Sequence, residues 1–141
     1  MIALQPVGAA LPAGFEVLRA EARAEGFTFL DRLADDWDAG TLRFDRLGEA
    51  LLFAAVDGAP AGIGGLTLEP SRPDTLRVRR FYVRPRFRRH GVGRALAEAI
   101  LARAGGRAVT CNSTDGAVAF WESLGFEPDC RDGYTHIRQF A

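Results

Sequence analysis

The chain has 141 residues, of which 48% are hydrophobic, and its 18 basic residues, all arginine, balance 18 acids to a formal net charge of zero. That length suits one domain around one core. A zero balance speaks against a general nucleic-acid binder, which is usually basic overall, and no stretch approaches the ~20 apolar residues of a helical membrane span.

Met1 to Ala10 lacks the basic start and long apolar run of a secretory leader, so the chain is expected to be cytoplasmic. Met1 to Val7 suits a short first strand. Pro12 suits the opening of a helix, with Phe15, Leu18, Ala22 and the stem of Glu25 as its apolar stripe and Gly26 as its break. Thr28 is placed to cap a second helix. That helix carries Phe27, Leu30, Leu33, Ala34 and Trp37 on one face, Asp31, Asp35, Asp36 and Asp38 on a solvated face, and Gly40 at its end.

Glu49 to Val56 reads as an apolar strand, and Asp57-Gly58 as a hairpin turn. The return strand, Ala61 to Glu69, contains Gly62, Gly64 and Gly65, which predicts a bulge or a closely approaching neighbour. After a polar turn, Thr75 to Val83 is the next strand. Strict alternation puts Leu76, Val78, Arg80 and Tyr82 on one face and Arg77, Arg79, Phe81 and Val83 on the other.

Pro85 cannot donate to a ladder and ends that strand. The period then changes: Val92, Ala95, Leu96, Ala99 and Ile100 form one face of a helix that runs to Gly105-Gly106. Ala108 to Cys111 is a short buried strand with Asn112 at its end. Thr114 or Asp115 caps a further helix with Ala117, Phe120, Trp121 and Leu124 inward, and Gly125 stops it. Phe126 to Arg131 and Tyr134 to Phe140 are strands about an Asp132-Gly133 turn. Cys111 and Cys130 form no metal-type cluster and are expected as buried free thiols.

The chemistry concentrates between Arg79 and Leu96, RRFYVRPRFRRHGVGRAL. Arg88, Arg89, His90, Gly91, Val92, Gly93 and Arg94 bridge a strand end and a helix start. Glycine admits close backbone approach, a helix start presents unpaired N–H groups to an anion, and arginine adds charge-assisted bonds to phosphate. From Ser71 to Arg94 there are nine arginines and one acid, while Glu16 to Glu49 holds nine acids and five arginines. An anionic ligand would relieve the self-repulsion of the first cluster. A P-loop is excluded by the absence of lysine, and a dinucleotide fingerprint by Leu96 at its third glycine.

The stretch resembles the acetyl-CoA loop of the GNAT superfamily of N-acetyltransferases. Tyr82-Val83-Arg84-Pro85 matches that family's Tyr-Val-x-Pro strand end. Arg88-Arg89-His90-Gly91-Val92-Gly93 matches its Arg/Gln-x-x-Gly-x-Gly/Ala loop. The likeness continues to Asn112, Ala117 and Leu124-Gly125-Phe126. It implies a single α/β domain over residues 1–141, with a mixed, mostly antiparallel sheet flanked by helices.

It also implies acetyl transfer from acetyl-CoA to a primary amine, with no metal. Phe81, Tyr82 and Val83 would line the pantetheine arm, the backbone from Arg88 to Arg94 would hold pyrophosphate, and Asn112 and Phe120 would flank the far end. The family often places a tyrosine acid where this chain has Trp121, and some members place a glutamate base where it has Arg77. Glu69, read as a solvated strand end, and His136, read as a packed or surface histidine, are the remaining candidate bases, and no catalytic residue is assigned. The expected partner is a small-molecule amine, without nucleic acid or membrane; the oligomeric state stays open, a homodimer included. The competing reading is an acyl-CoA-binding regulatory module of the same fold without turnover.

Overall fold

The computed structural model describes residues 1–131 and 133–139. Among the described residues, seven strands form one sheet in the order β1-β2-β3-β4-β5-β7-β6. They are β1 (Ile2–Pro6), β2 (Ala50–Val56), β3 (Ala59–Leu68), β4 (Thr75–Val83), β5 (Ala108–Cys111), β6 (Glu127–Pro128) and β7 (His136–Arg138). Only β4 and β5 pair in parallel; the other neighbours are antiparallel. Helices α1 (Phe15–Ala24) and α2 (Phe29–Ala39) cover one face, and α3 (Val92–Ala102) and α4 (Val118–Ser123) the other. This is a mixed α/β architecture with a mostly antiparallel sheet.

Each face has its own core. Phe15, Leu18, Ala22, Leu30, Leu33 and Trp37 pack with Leu51, Ile63 and Tyr82. Leu66, Leu76, Val78 and Val83 pack with Leu96, Ile100 and Trp121 on the other side. The helical stripes at i, i+3, i+4 spacing thus bury as expected. Asp57 and Gly58 both have positive φ, the geometry of a tight hairpin. The β3 glycines admit close neighbours: a Cβ at Gly64 would lie 2.8 Å from both Ile100 and Phe81, and one at Gly65 2.5 Å from Phe44.

Several local expectations change. Pro12 sits in a turn before α1, its carbonyl accepting the Phe15 N–H, rather than inside the helix. Thr28 stands at the N-cap position of α2, but its hydroxyl accepts from Arg32 instead of capping. Neither Thr114 nor Asp115 caps a continuous helix: Thr114 makes no side-chain cap and Asp115–Ala117 is a 3-10 turn leading into α4. The strand expected over Phe126 to Arg131 shortens to Glu127–Pro128, and Cys130 is exposed, whereas Cys111 is buried in β5. Asp132 of the expected turn and Phe140 of the expected last strand lie outside the described residues.

The largest correction is in β4. Ile63 opposes Tyr82, but Gly65 opposes Arg79, so β4 carries one extra residue there. Arg80 takes a positive φ of 56° at this bulge. A bulge shifts the alternation by one position. Leu76 and Val78 therefore share the α3 face with Phe81 and Val83, while Arg80 and Tyr82 turn toward α1 and α2. The phase change was present in the sequence: apolar residues at 76 and 78 are even, those at 81 and 83 odd, with Arg79-Arg80 between.

Candidate active site

The bulge lies where the sheet opens. β4 and β5 pair from Thr75–Ala108 to Val78–Cys111 and then stop, although β4 continues to Val83. The Arg84 N–H is spent on Ala61 of β3. By the two-residue repeat of a strand, Val83 and Phe81 direct their N–H and C=O to the opposite, unpaired edge. The Val83 carbonyl confirms that direction by accepting from Arg88 Nε at 2.9 Å. An unpaired strand edge in mid-sheet leaves backbone donors open to an extended ligand.

The glycine-rich loop turns beside this edge. Arg89 and Gly91 both have left-handed φ, 65° and 84°, and Arg88 to Gly91 are exposed. Gly91 ends the turn, its carbonyl accepting from Ala95 as α3 begins. The N–H groups of the first turn of α3 have no intrahelical acceptor, and the helix dipole favours an anion there. A left-handed φ at Gly91 is what lets the chain enter the helix so abruptly.

Val92 is buried under the loop. A Cβ at Gly93 would lie 3.5 Å from the Phe120 ring. Phe120 stacks 5.7 Å from Phe81 and 5.0 Å from Trp121. The fold thus brings Phe81, Val83, Gly93 and Phe120 together beside the loop. Arg94 points along the α3–α4 surface, donating to Ser123 at 3.0 Å and lying 3.7 Å from Glu98. His90 and Asn112 are exposed, Asn112 just beyond the end of β5.

The arginines behave differently from expectation. Arg88 donates to both Glu25 oxygens, at 2.9 and 2.7 Å, besides Val83. Arg84 pairs with Glu21 at 2.7 Å and Arg80 with Asp36 at 3.2 Å. Arg19 and Arg23 share Asp31 and hold its carboxyl down at about 2. Much of the self-repulsion inferred for the arginine segment is therefore relieved by acids of α1 and α2. Conversely, Asp31 and Asp36 are ion-paired rather than merely solvated. What the loop offers an anion is chiefly backbone, together with Arg89, which has no ion pair among the described residues.

Tyr82 does not enter the open edge. It is 3% exposed on the α1–α2 side, between Phe27 and Phe29, and its hydroxyl donates to Glu25. Burial, then Glu25, push its phenol well above the ordinary range. Glu25, which the sequence offered only as an aliphatic stem, is thus a junction of α1, β4 and the loop. Arg88 foremost holds its carboxyl below the usual range.

The two candidate bases are both committed. Glu69 is not a solvated strand end but 4% exposed. It accepts from Ser71 N–H and hydroxyl at 2.9 and 2.8 Å and from Thr110 at 2.7 Å, with Arg77 at 3.5 Å. Burial is the largest single influence and would raise its carboxyl, but these donors together take it below the usual range. His136 is buried between the Thr135 hydroxyl at 2.8 Å and Glu122 of α4 at 3.1 Å, a packed histidine. Trp121 is 5% exposed, its ring between those of Phe81, Phe120 and Phe126.

Comparison with known proteins agrees with this geometry. No curated protein matches the chain. Among solved structures, a proposed acetyltransferase from Exiguobacterium sp. 255-15 is 25% identical, covering 99% of this chain and 93% of that one, with a TM-score of 0.89. An acetyltransferase of the GNAT family from Staphylococcus aureus Mu50 is 13% identical over the whole of both chains, TM-score 0.78. The GNAT family N-acetyltransferase YhbS from Escherichia coli, solved in complex with CoA, is 18% identical over 99% of this chain and 82% of that one, TM-score 0.69. The model of the acetyltransferase (GNAT) family matches residues 15–126, and the chain belongs to that family.

Proposed function

We propose that this protein is an acetyl-CoA-dependent N-acetyltransferase acting on a low-pKa primary amine of a small molecule. The observation that carries the reading is the unpaired edge of β4 at Phe81 and Val83, lying beside the left-handed Arg89–Gly91 turn at the start of α3. An extended, polyanionic thioester fits both halves of that groove. The loop N–H groups from Arg89 to Arg94 would hold its phosphates, and Phe120 and Phe81 would cover its arm. The Val83 and Phe81 edge would orient the thioester, with fixed N–H donors able to stabilise charge on its oxygen.

When bound, acetyl-CoA supplies the acetyl group: an N–C bond forms, the C–S bond breaks, and one amine proton passes to sulfur. The chain provides little proton chemistry of its own. Glu69 is saturated with donors and lowered, His136 is locked against α4, and Trp121 has no acidic proton. Leaving as thiolate is tolerable, since a thiol of pKa ~8.5 costs only ~2 kcal/mol at pH 7. The nucleophile is more demanding. A lysine-type amine costs ~4.6 kcal/mol to deprotonate at pH 7, and an α-amino group whose neighbouring carboxylate is absent or neutralised only ~1.1 kcal/mol. Without a free base, the α-amino class is the acceptor.

The test is thiol release from acetyl-CoA with a panel of amines at pH 7, reading kcat/KM. α-Amino compounds should exceed Nε-amines and polyamines. A clear preference for a lysine side chain or polyamine would end this reading. CoA binding without thiol release for any amine would leave the regulatory module of the same fold.

A further inference from the structure

Arg77, Arg79 and Arg80 share the β4 face that looks toward α1 and α2. The bulge creates the grouping, since strict alternation would have sent Arg80 to the α3 side with Leu76 and Val78. Arg77 is engaged, 3.5 Å from Glu69 and donating to the Gly133 carbonyl at 3.1 Å. Arg80 donates one terminal nitrogen to Asp36 at 3.2 Å. Its Nε is buried without any acceptor among the described residues, in a side chain only 12% exposed. Arg79 donates its Nε to Thr67 Oγ1 at 3.2 Å, and among the described residues it has no carboxylate within 4 Å.

Two adjacent guanidiniums are therefore held largely out of water with donors unspent. Burial, and then the neighbouring arginines, push both below the ordinary arginine range. The nearby acids cannot cure this. Glu69 is taken by Ser71 and Thr110, and Asp36 reaches only one edge of Arg80. A buried donor without a partner is a standing penalty, and a planar fork recognises a carboxylate in two-point fashion. The pair immediately precedes Phe81, where the edge of β4 opens.

We propose that Arg79 and Arg80, helped by the Thr67 hydroxyl, bind the carboxylate of the acceptor, so that the acceptor is an amino acid or related amino carboxylate. This rests on the transfer reading and narrows it: a free carboxylate makes the neighbouring amine more basic, and guanidiniums that neutralise the carboxylate offset that rise. The same forks would accept a phosphate, so the anion's identity is part of the test. Asp36, beside Arg80, disfavours a second negative charge near the first.

The experiment uses glycine, serine, phenylalanine and glutamine, each beside its C-terminal amide, with O-phosphoethanolamine as the phosphate arm. The wild type should prefer acids over amides by about 30-fold or more in kcat/KM, although the amide's amine is the less basic. Arg79→Gln should erase that preference through KM with kcat little changed, and Arg79→Lys should restore part of it. An unchanged thermal shift with CoA shows that the variants fold. Amides used as well as acids, or equal losses of kcat for both in Arg79→Gln, would overturn the proposal, as would a preference for O-phosphoethanolamine over every amino acid. Binding is read separately, from the melting shift of the CoA-loaded protein with the N-acetyl derivatives of the same four amino acids. A shift in the wild type that Arg79→Gln abolishes, without acetylation of any amine, upholds the carboxylate site while the transfer reading fails. Acetylation indifferent to the carboxylate does the reverse.

Discussion

Removing Glu25 separates a buried hydrogen bond from an exposed ion pair. Glu25→Ala takes the acceptor from the Tyr82 hydroxyl and the carboxylate from Arg88. The two losses differ in size. Tyr82 is 3% exposed, so its orphaned O–H costs about 1–3 kcal/mol. The Arg88 side chain is 41% exposed and that of Glu25 28%, so their pair contributes only about 0–1 kcal/mol. The sum, about 1–4 kcal/mol, should lower Tm by roughly 3–14 °C in a domain this size. Most of it should vanish in a Tyr82→Phe background, where no hydroxyl is left stranded, so the coupling should be about 1–3 kcal/mol. Urea unfolding at pH 7, followed by tryptophan fluorescence, measures all four corners of this cycle. An equal cost of Glu25→Ala in both backgrounds would refute the reasoning and move the weight to Arg88. Freed from Glu25, the Arg88 guanidinium should also be available to the loop, so CoA should bind no more weakly to the variant.

Three further expectations follow from the same geometry. CoA at ~100 times its dissociation constant should stabilise by ~2.7 kcal/mol, a melting shift of roughly 5–10 °C; Gly91→Glu should abolish it by charge and by strain at φ 84°, while Gly91→Asn, which tolerates that φ, should keep a measurable shift. Trp121→Phe should cost about 1–2 kcal/mol of packing against Phe81, Phe120 and Phe126 and keep turnover within a few fold; a hundred-fold loss in a folded, CoA-binding variant would give the indole a chemical role. The carboxyls of Glu25 and Glu69 are both lowered on folding, so their contribution is fully present above the ordinary carboxylate pKa of ~4.3 and disappears as pH falls through the folded values; Tm should drop on acidification below about pH 4, and Glu69→Gln should lower Tm at pH 7 and flatten that acid limb, an unaltered limb counting against it.

The sequence by itself determined the element order and the place of the loop. Those follow from local rules: the change of period at Pro85, the apolar run of β2, the glycines at helix ends and the stripe of α3 depend on near neighbours in the chain. It also foresaw that the β3 glycines admit close neighbours, because a missing side chain in a strand has few other uses. Only the tertiary structure decided which way Arg80 and Tyr82 face, since a single extra residue in β4 is defined by its register against Gly65 and Ile63 of another strand. It also decided what the charges do. Glu21, Glu25 and Asp36 lie far along the chain from Arg84, Arg88 and Arg80, and a count of charges by segment holds no information about such pairs. Glu69 reads as a solvated strand end from its neighbours in the chain, yet Ser71 folds back on it in the turn and Thr110 reaches it once β4 and β5 come together. Local propensity is written in neighbouring residues; the state of a buried ionisable group is written in whatever the fold brings against it.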